Sequence, residues 1–590
     1  MPRFSIVRGL RAFARQSRHA SKKRRPGVGL QPAGFRPSLE ALENRTLPST
    51  FLVTNLNDSG TGSLRAAVAA ADATSGAVIE FASNLQGAIT LKTGQLNLTS
   101  NMTIDGPGAS QLTVSGNNAS RVFDIGNNAT VTIDGLTIAN GAATSTTDPS
   151  QQGGGGVLDE VGATVNLDNE VFSNNQATVV GGALWIQAGP TGRGTANISG
   201  STFTGNQAIG SANGTTNPFL KFEGFGPGNG TAEGGAIDND GTLTVANSTF
   251  TNNQAVGVVG NDNVHASGHG GAIGADGTLS IANSTFTGNQ AIGAAVPSGW
   301  AGGSQGLGGG VVIFDAATIS NSTFTGNFAV GGAGGAAPAN NFAFVGAGGG
   351  VLAIAGATLT MSNCVLDQNQ AIGGAGATGG GGAIGIGGGL DVHDHASLTL
   401  SNSSFSGNVA EGGTGGSGAA GGDGIGGGLS VDRFSTGTIT DVALTSNQAI
   451  GGTGGAGANG GDGWGGGLAV GSRAIYDGTD SSSVTLTNST ISDNLAEGGT
   501  GGKGGDGGNG FGGGVAVGAT KVSGGVTFTN SLAVTNCTIT ENSADGGAAG
   551  AGGSAGMGVG GGVYNLGDFS AVHTVIAGNH ASTSNDDIFP

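Results

Sequence analysis

Eleven times between Val171 and Asn579 the chain places an apolar residue three positions before an asparagine, from Phe172/Asn175 to Ile576/Asn579. In seven of these stretches a glycine triplet and a short apolar strand come first. Successive asparagines lie 31 to 48 residues apart. A helical solenoid would keep its period nearly constant, so this elasticity puts variable loops on a fixed repeating core. Self-similarity over most of the 590 residues argues for one long quasi-one-dimensional body rather than several globular domains.

Within one unit, Gly426–Val431, Thr438–Thr440 and Val442–Leu444 read as three short alternating strands separated by turns. That is the content of one coil of a parallel β-helix, whose equivalent positions stack at about 4.8 Å. Four columns follow. An apolar residue after the glycines runs from Leu184 through Val311, Leu390 and Leu429 to Val563, and the apolar member of each apolar/Asn pair, mostly Phe, forms the second. An asparagine three residues before that apolar residue, as at Asn247, Asn321 and Asn402, forms the third; it is expected to point inward, to take the left-handed conformation of a sharp bend and to stack its amide along the axis. The fourth, Leu307, Ala347, Ile386, Ile425, Trp464, Phe511 and Val559, is an apolar stack under the loops. A coil core needs only about 20 residues, so each coil also carries one glycine-rich excursion, and these are expected to pack on one another.

Glycine supplies 126 residues and charged residues only 10%, against about 25% in ordinary domains. Residues 1–50 carry 11 Lys/Arg and two acids, leaving nine basic and 36 acidic residues for 51–590. So acidic a body is a poor nucleic-acid binder, because phosphate contacts need Lys and Arg. No stretch of about 20 apolar residues offers a membrane span. Cys364 and Cys537 occupy the same repeat position four coils apart, roughly 19 Å, too far for a disulfide.

The recurrent Asn-x-Ser/Thr coincides with the third column and reads as structural rather than as a glycan acceptor. Gly268-His269-Gly270 precedes an ordinary repeat glycine pair, with no Arg-x-Lys in 51–590. Lys221, Glu223 and Glu233 in the 207–233 insertion are the best catalytic remnants. Asp423, Asp462 and Asp506 lie in adjacent coils, and a shared weak calcium site there is the one cofactor the sequence suggests. Trp185, Trp300 and Tyr476 remain as aromatic platforms for sugar.

Residues 1–50, with Lys22-Lys23-Arg24-Arg25, read as a targeting or processing segment. Within it, residues 38–49 resemble the Leu-Glu-Pro-Leu-Glu-x-Arg-x-Leu-Leu-Ser segment of large bacterial exported proteins, with Ala41 in place of the proline and Pro48 in place of a leucine. Residues 51–77 give a strand and a helix from Ser63 to about Ala73, a cap for the exposed strands at the start of a β-helix that occupies 78–590. Short strands between Val78 and Asn140 supply about three early coils without long loops.

The paired Gly-Gly-Ala-Ile (234–237, 270–273) and Phe-x-x-Asn signatures resemble the repeats of the polymorphic outer-membrane protein family. From Phe51 to Pro590 the chain resembles the broader group of bacterial right-handed parallel β-helix proteins of the pectin-lyase-like fold. The resemblance implies an all-β, right-handed, single-stranded parallel β-helix of about 14 coils. It also implies extracellular or outer-membrane-associated surface exposure, with a surface polysaccharide or another cell-surface protein as partner. No residue stands out as catalytic, cofactor-binding or metal-ligating, and the outward faces read as Ser, Thr, Gly and Asn. The balance therefore falls against catalysis, toward a structural or adhesive spine. The alternative is a polysaccharide-active lyase or hydrolase, marked by clustered acids on one outward face with a Lys or Arg beside them.

Overall fold

The computed structural model describes residues 48–590 except 146–150, 213–229, 261–265, 299–302, 336–338, 340–341, 472–479 and 524–525. The basic segment and the export-like motif lie outside the described residues, apart from Pro48 to Thr50.

One coil shows the pattern. Leu390–Val392 belongs to sheet A, Ser397–Ser401 to sheet B, Ser404–Ser406 to sheet C and Val409–Glu411 to sheet D; the chain then runs through a glycine-rich loop and returns as Gly424–Ile425 in sheet E. Among the described residues the five sheets hold 14, 15, 14, 12 and 9 parallel strands. The protein is a right-handed parallel β-helix. Sequence reading found three strands per coil. It missed those of sheets D and E, because a sheet D strand such as Gln448–Ile450 buries only an alanine and a sheet E strand such as Gly424–Ile425 is two residues long.

The register follows the sequence columns. Leu390 pairs with Leu429 and Leu429 with Leu468 in sheet A, Phe286 with Phe324 in sheet C, and Ile386 with Ile425 and Ile425 with Trp464 in sheet E. Inward residues of sheets A, B and C make one continuous core, in which the rings from Phe172 to Phe324 stack with centroids 4.5–4.7 Å apart. Phe324→Ala should cost about 3–5 kcal/mol in the coils that hold it, read as lowered hydrogen-exchange protection there; unchanged protection would contradict the inward placement. Outside sheet A, residues of sheet E pack on its outward positions Val312, Leu352, Ala469 and Ala516 as a second apolar layer.

The asparagines divide differently from expectation. Asn169, Asn247, Asn321 and their equivalents do take left-handed φ near 50°. The same bend, however, turns their side chains outward and brings the following residue inward, Glu170 after Asn169 and Ser after Asn247 and Asn321. Ser201, Ser248, Ser284 and Ser322 are buried, and each Oγ from Ser248 onward accepts the preceding coil's serine N–H. Cys364 and Cys537 occupy this serine column as buried free thiols. Axial amide stacking belongs chiefly to the asparagine of the apolar/Asn pair. From Asn175 to Asn542 each Nδ2 donates to the next coil's Asn Oδ1, as from Asn289 to Asn327 at 2.9 Å, and Asp587 ends the ladder.

The loops stack as expected. Gly452 N donates to Gly422 O, Gly499 N to Gly461 O and Gly547 N to Gly508 O, all at 2.8 Å. A Cβ on Gly460 would sit 2.0 Å from Gly499 O, so only glycine permits this approach. At the other end, α1 (Leu64–Asp72), N-capped by Ser63 and buried on Leu64, Val68 and Ala71, packs against the first strands.

Candidate functional site

Three titratable side chains, Asp391, His393 and Asp432, meet in the layer outside sheet A, with the buried Ser430 paired to Asp391. Asp391 and His393 are two residues apart, so the period of the strand puts both on the outward face. Asp432 lies one coil on, in the same column as His393, because sheet A advances there by 39 residues. His393 Nδ1 lies 2.5 Å from Asp432 Oδ1, and one ligand atom from each residue falls within 4.8 Å of the others. Asp391 and His393 are 0% exposed and Asp432 1%. The Phe342 ring stacks on the imidazole with centroids 4.6 Å apart.

The surroundings set the protonation. Burial pushes the Asp391 carboxyl well above the usual range and the charge of Asp432 adds to this, against a smaller opposing effect of His393. Burial likewise raises Asp432, while His393 partly offsets it. For His393 burial acts downward, but the charge and hydrogen bond of Asp432, with the charge of Asp391, outweigh it and raise the imidazole. The cluster therefore holds its protons more tightly than separate groups in water would.

Beside it the turn 433–434 is left-handed at both residues, with φ of 51° and 64°. Asp480 fixes this turn by accepting the N–H groups of Arg433 and Phe434 at 3.1 and 2.8 Å and the Ser482 hydroxyl at 2.9 Å. Arg433, 31% exposed, reaches Asp394 at 3.4 Å. The His395 ring stacks on Phe434, and Phe528 meets Phe434 edge-on. A tight acid–histidine cluster thus borders a turn that carries a half-buried guanidinium, paired with Asp394, and an aromatic surface.

This arrangement corrects the sequence reading. Clustered acids with an arginine alongside were the mark of the catalytic alternative, and the outward face of sheet A carries them. The non-catalytic structural or adhesive reading, and the balance against an enzyme, are overturned by Asp391, His393 and Asp432. Two carboxylates and an imidazole are also a donor set that can hold a divalent metal.

Other sequence candidates fall elsewhere. Lys221, Glu223, Trp300 and Tyr476 lie outside the described residues, and Trp185 is fully buried with Nε1 donating to Asp240 at 3.0 Å. Asp423 and Asp462 share one loop column, where Asp423 accepts the Asp462 N–H; Asp506 sits in another column, above Asn459. The three therefore do not converge on one ion. His269 is buried in sheet E, paired with Leu307.

Glu233 and Asp238 form a second buried polar spot. The Glu233 side chain crosses above Gly274, where a Cβ would lie 2.5 Å from its Cγ. Burial pushes both carboxyls well above the usual carboxylate range, reinforced by the charges of Asp240 and Asp276. A raised carboxyl stabilises the fold below its unfolded pKa, and that stability is lost as pH rises through the folded value. The double variant Glu233→Gln/Asp238→Asn should thus gain about 1–3 kcal/mol at pH 8 and little at pH 4. Denaturation midpoints at the two pH values check this; an equal effect at both would contradict it.

Two surface cavities lie away from the cluster. One of about 540 Å³ follows the bend between sheets B and C, lined by Asn363, Asn402, Asp441 and Asn488. Another of about 300 Å³ holds Asp124 and Glu160; its neighbour Arg121 is buried and donates to the carbonyls of Gly153 and Gly154.

No family model matches the chain, and no curated protein matches it. Among solved structures it is similar to tailspike protein 3 of bacteriophage CBA120, at 11% identity over 82% of this chain and 56% of that one, with a TM-score of 0.32. It is also similar to a mannuronic acid specific polysaccharide family 6 lyase from human gut microbiota, at 9% identity over 89% and 83% of the two chains, with a TM-score of 0.33. The periplasmic alginate epimerase AlgG aligns at 7% identity over 85% and 84%, with a TM-score of 0.29. The functional reading rests on the cluster itself.

Proposed function

We propose that the protein is a polysaccharide-active enzyme, a lyase or hydrolase, whose reacting groups are Asp391, His393 and Asp432. The observation that carries this reading is their convergence on one outward strand face beside Arg433. Breaking a glycosidic bond, by water or by elimination, needs a group that accepts a proton and one that donates it, and the cluster holds both kinds in mutual contact. A β-helix presents the same short face at every coil, which suits a long linear polymer. Arg433 supplies a positive charge for a developing oxyanion, and Phe434 with His395 offers a ring surface for a sugar. Phe342 covers His393, so substrate entry requires that ring to move aside.

Export to the cell surface or beyond is part of the same reading, supported by the motif-like residues 38–49, with 1–50 as targeting segment and 51–77 as cap. Among the described residues no helix is long and apolar enough to cross a membrane. The polymorphic-protein signatures support a surface setting, with polysaccharide as the partner.

Purified full chain should be incubated with a panel of neutral and uronic-acid polysaccharides. New reducing ends and the ultraviolet absorbance of unsaturated products are read together: reducing ends alone mark a hydrolase, both together a lyase. Absence of product on every member would contradict the reading.

A further inference from the structure

We propose that Asp391, His393 and Asp432 bind one divalent transition-metal ion of the zinc or cobalt class. The site stands on its own geometry; the ion's part in turnover rests on the enzymatic reading above.

The donors come pre-arranged. Asp391 and His393 project from the same face of one strand, and Asp432 from the adjacent rung. Their ligand atoms lie within 4.8 Å of one another. Tetrahedral ligands with bonds of 2.0–2.2 Å stand about 3.4 Å apart, so side-chain rotation closes the remaining distance without moving the strands. A second observation points to a ligand. Oδ2 of Asp432 is buried without a hydrogen-bond partner, and both carboxylate oxygens of Asp391 are buried with only Ser430 and the Val392 amide as polar neighbours on their own sheet. Carboxylates removed from water this completely are normally paired or coordinate a metal. Asp480 holds the turn that follows Asp432 and is a positioning residue for that ligand.

The donor set also selects the ion. Calcium takes six to eight oxygens, and magnesium a near-ideal octahedron that keeps several waters. An imidazole with two carboxylates, deeply buried, suits zinc-class ions, and three protein ligands leave a fourth position for water or a sugar oxygen. Because liganding occupies all three groups, an ion there would take over their acid–base part in the enzymatic reading, acting as a Lewis acid on that oxygen.

The test uses full chain stripped by a chelator and titrated separately with Zn²⁺, Co²⁺ and Ca²⁺. Calorimetry should give one Zn²⁺ per chain, Co²⁺ should give the visible absorption of a four-coordinate site, and Tm should rise by roughly 3–5 °C with saturating Zn²⁺. His393→Ala and Asp391→Asn should each weaken Zn²⁺ binding about 100-fold or more, while Lys503→Ala, at an exposed loop position, should leave it unchanged; circular dichroism confirms folding of each variant. Failure of the wild type to bind Zn²⁺ or Co²⁺, a response to Ca²⁺ alone, or binding retained in both ligand variants would overturn the inference. Turnover insensitive to the chelator yet dependent on His393 would remove the ion and leave the enzyme. Zinc binding without turnover on any polysaccharide would do the reverse.

Discussion

Asn327→Leu should cost about 3–9 kcal/mol, the largest stability loss expected from any single substitution in the body. Asn327 Nδ2 donates to Phe286 O at 3.0 Å and to Asn369 Oδ1 at 2.9 Å, while its Oδ1 accepts both the N–H and the Nδ2 of Asn289. Leucine fills the volume but leaves the Phe286 carbonyl, the Asn289 N–H and one hydrogen of Asn289 Nδ2 without these partners where no water reaches, at about 1–3 kcal/mol each, while the other Nδ2 hydrogen keeps its bond to Phe250 O. Because coils contact mainly their neighbours, the damage should be local. Hydrogen exchange should show lost protection in the coils around 289, 327 and 369 and near-native protection in those around 494 and 542. Uniform loss along the chain, or none, would contradict a rung-by-rung ladder.

His393→Gln should lower turnover by about 10³-fold or more, a loss of roughly 4 kcal/mol of transition-state stabilisation. Glutamine keeps the volume under Phe342 and a polar contact to Asp432 but can neither take up a proton nor match the imidazole as a metal ligand. If the cluster acts as one unit, Asp432→Asn and the double variant should fall to about the same residual rate as the single one, because groups that act together are not additive. Additive losses would place the two residues in separate steps.

Most of the winding was legible in the sequence, and the reason is particular. Letters repeat where side chains stack, so Leu390/Leu429 and Phe286/Phe324 could be aligned by eye, and the structure pairs them as aligned. Two asparagines six residues apart recur in nearly every coil, however, and sequence alone does not show which one the left-handed bend turns outward. The hydrogen-bonded ladder was therefore assigned to the wrong one. The cluster escaped because attention to repeats treats departures from them as noise: Asp391 and His393 stand where neighbouring coils carry Leu352 and Ile354. A signal was present nonetheless. The 39-residue step from Leu390 to Leu429 also carries His393 onto Asp432, so two titratable residues in one outward column could have been found by applying the register to the exceptions.

The claim that the outward face of sheet A is an active centre is tested most directly by comparing initial rates of wild type, Lys503→Ala in an exposed loop and His393→Gln on one polysaccharide panel, with folding of each checked by circular dichroism. The account predicts product from the wild type, comparable product from Lys503→Ala, and at least about 10³-fold less from folded His393→Gln. Equal rates in wild type and His393→Gln, or no product from any of the three, would contradict it.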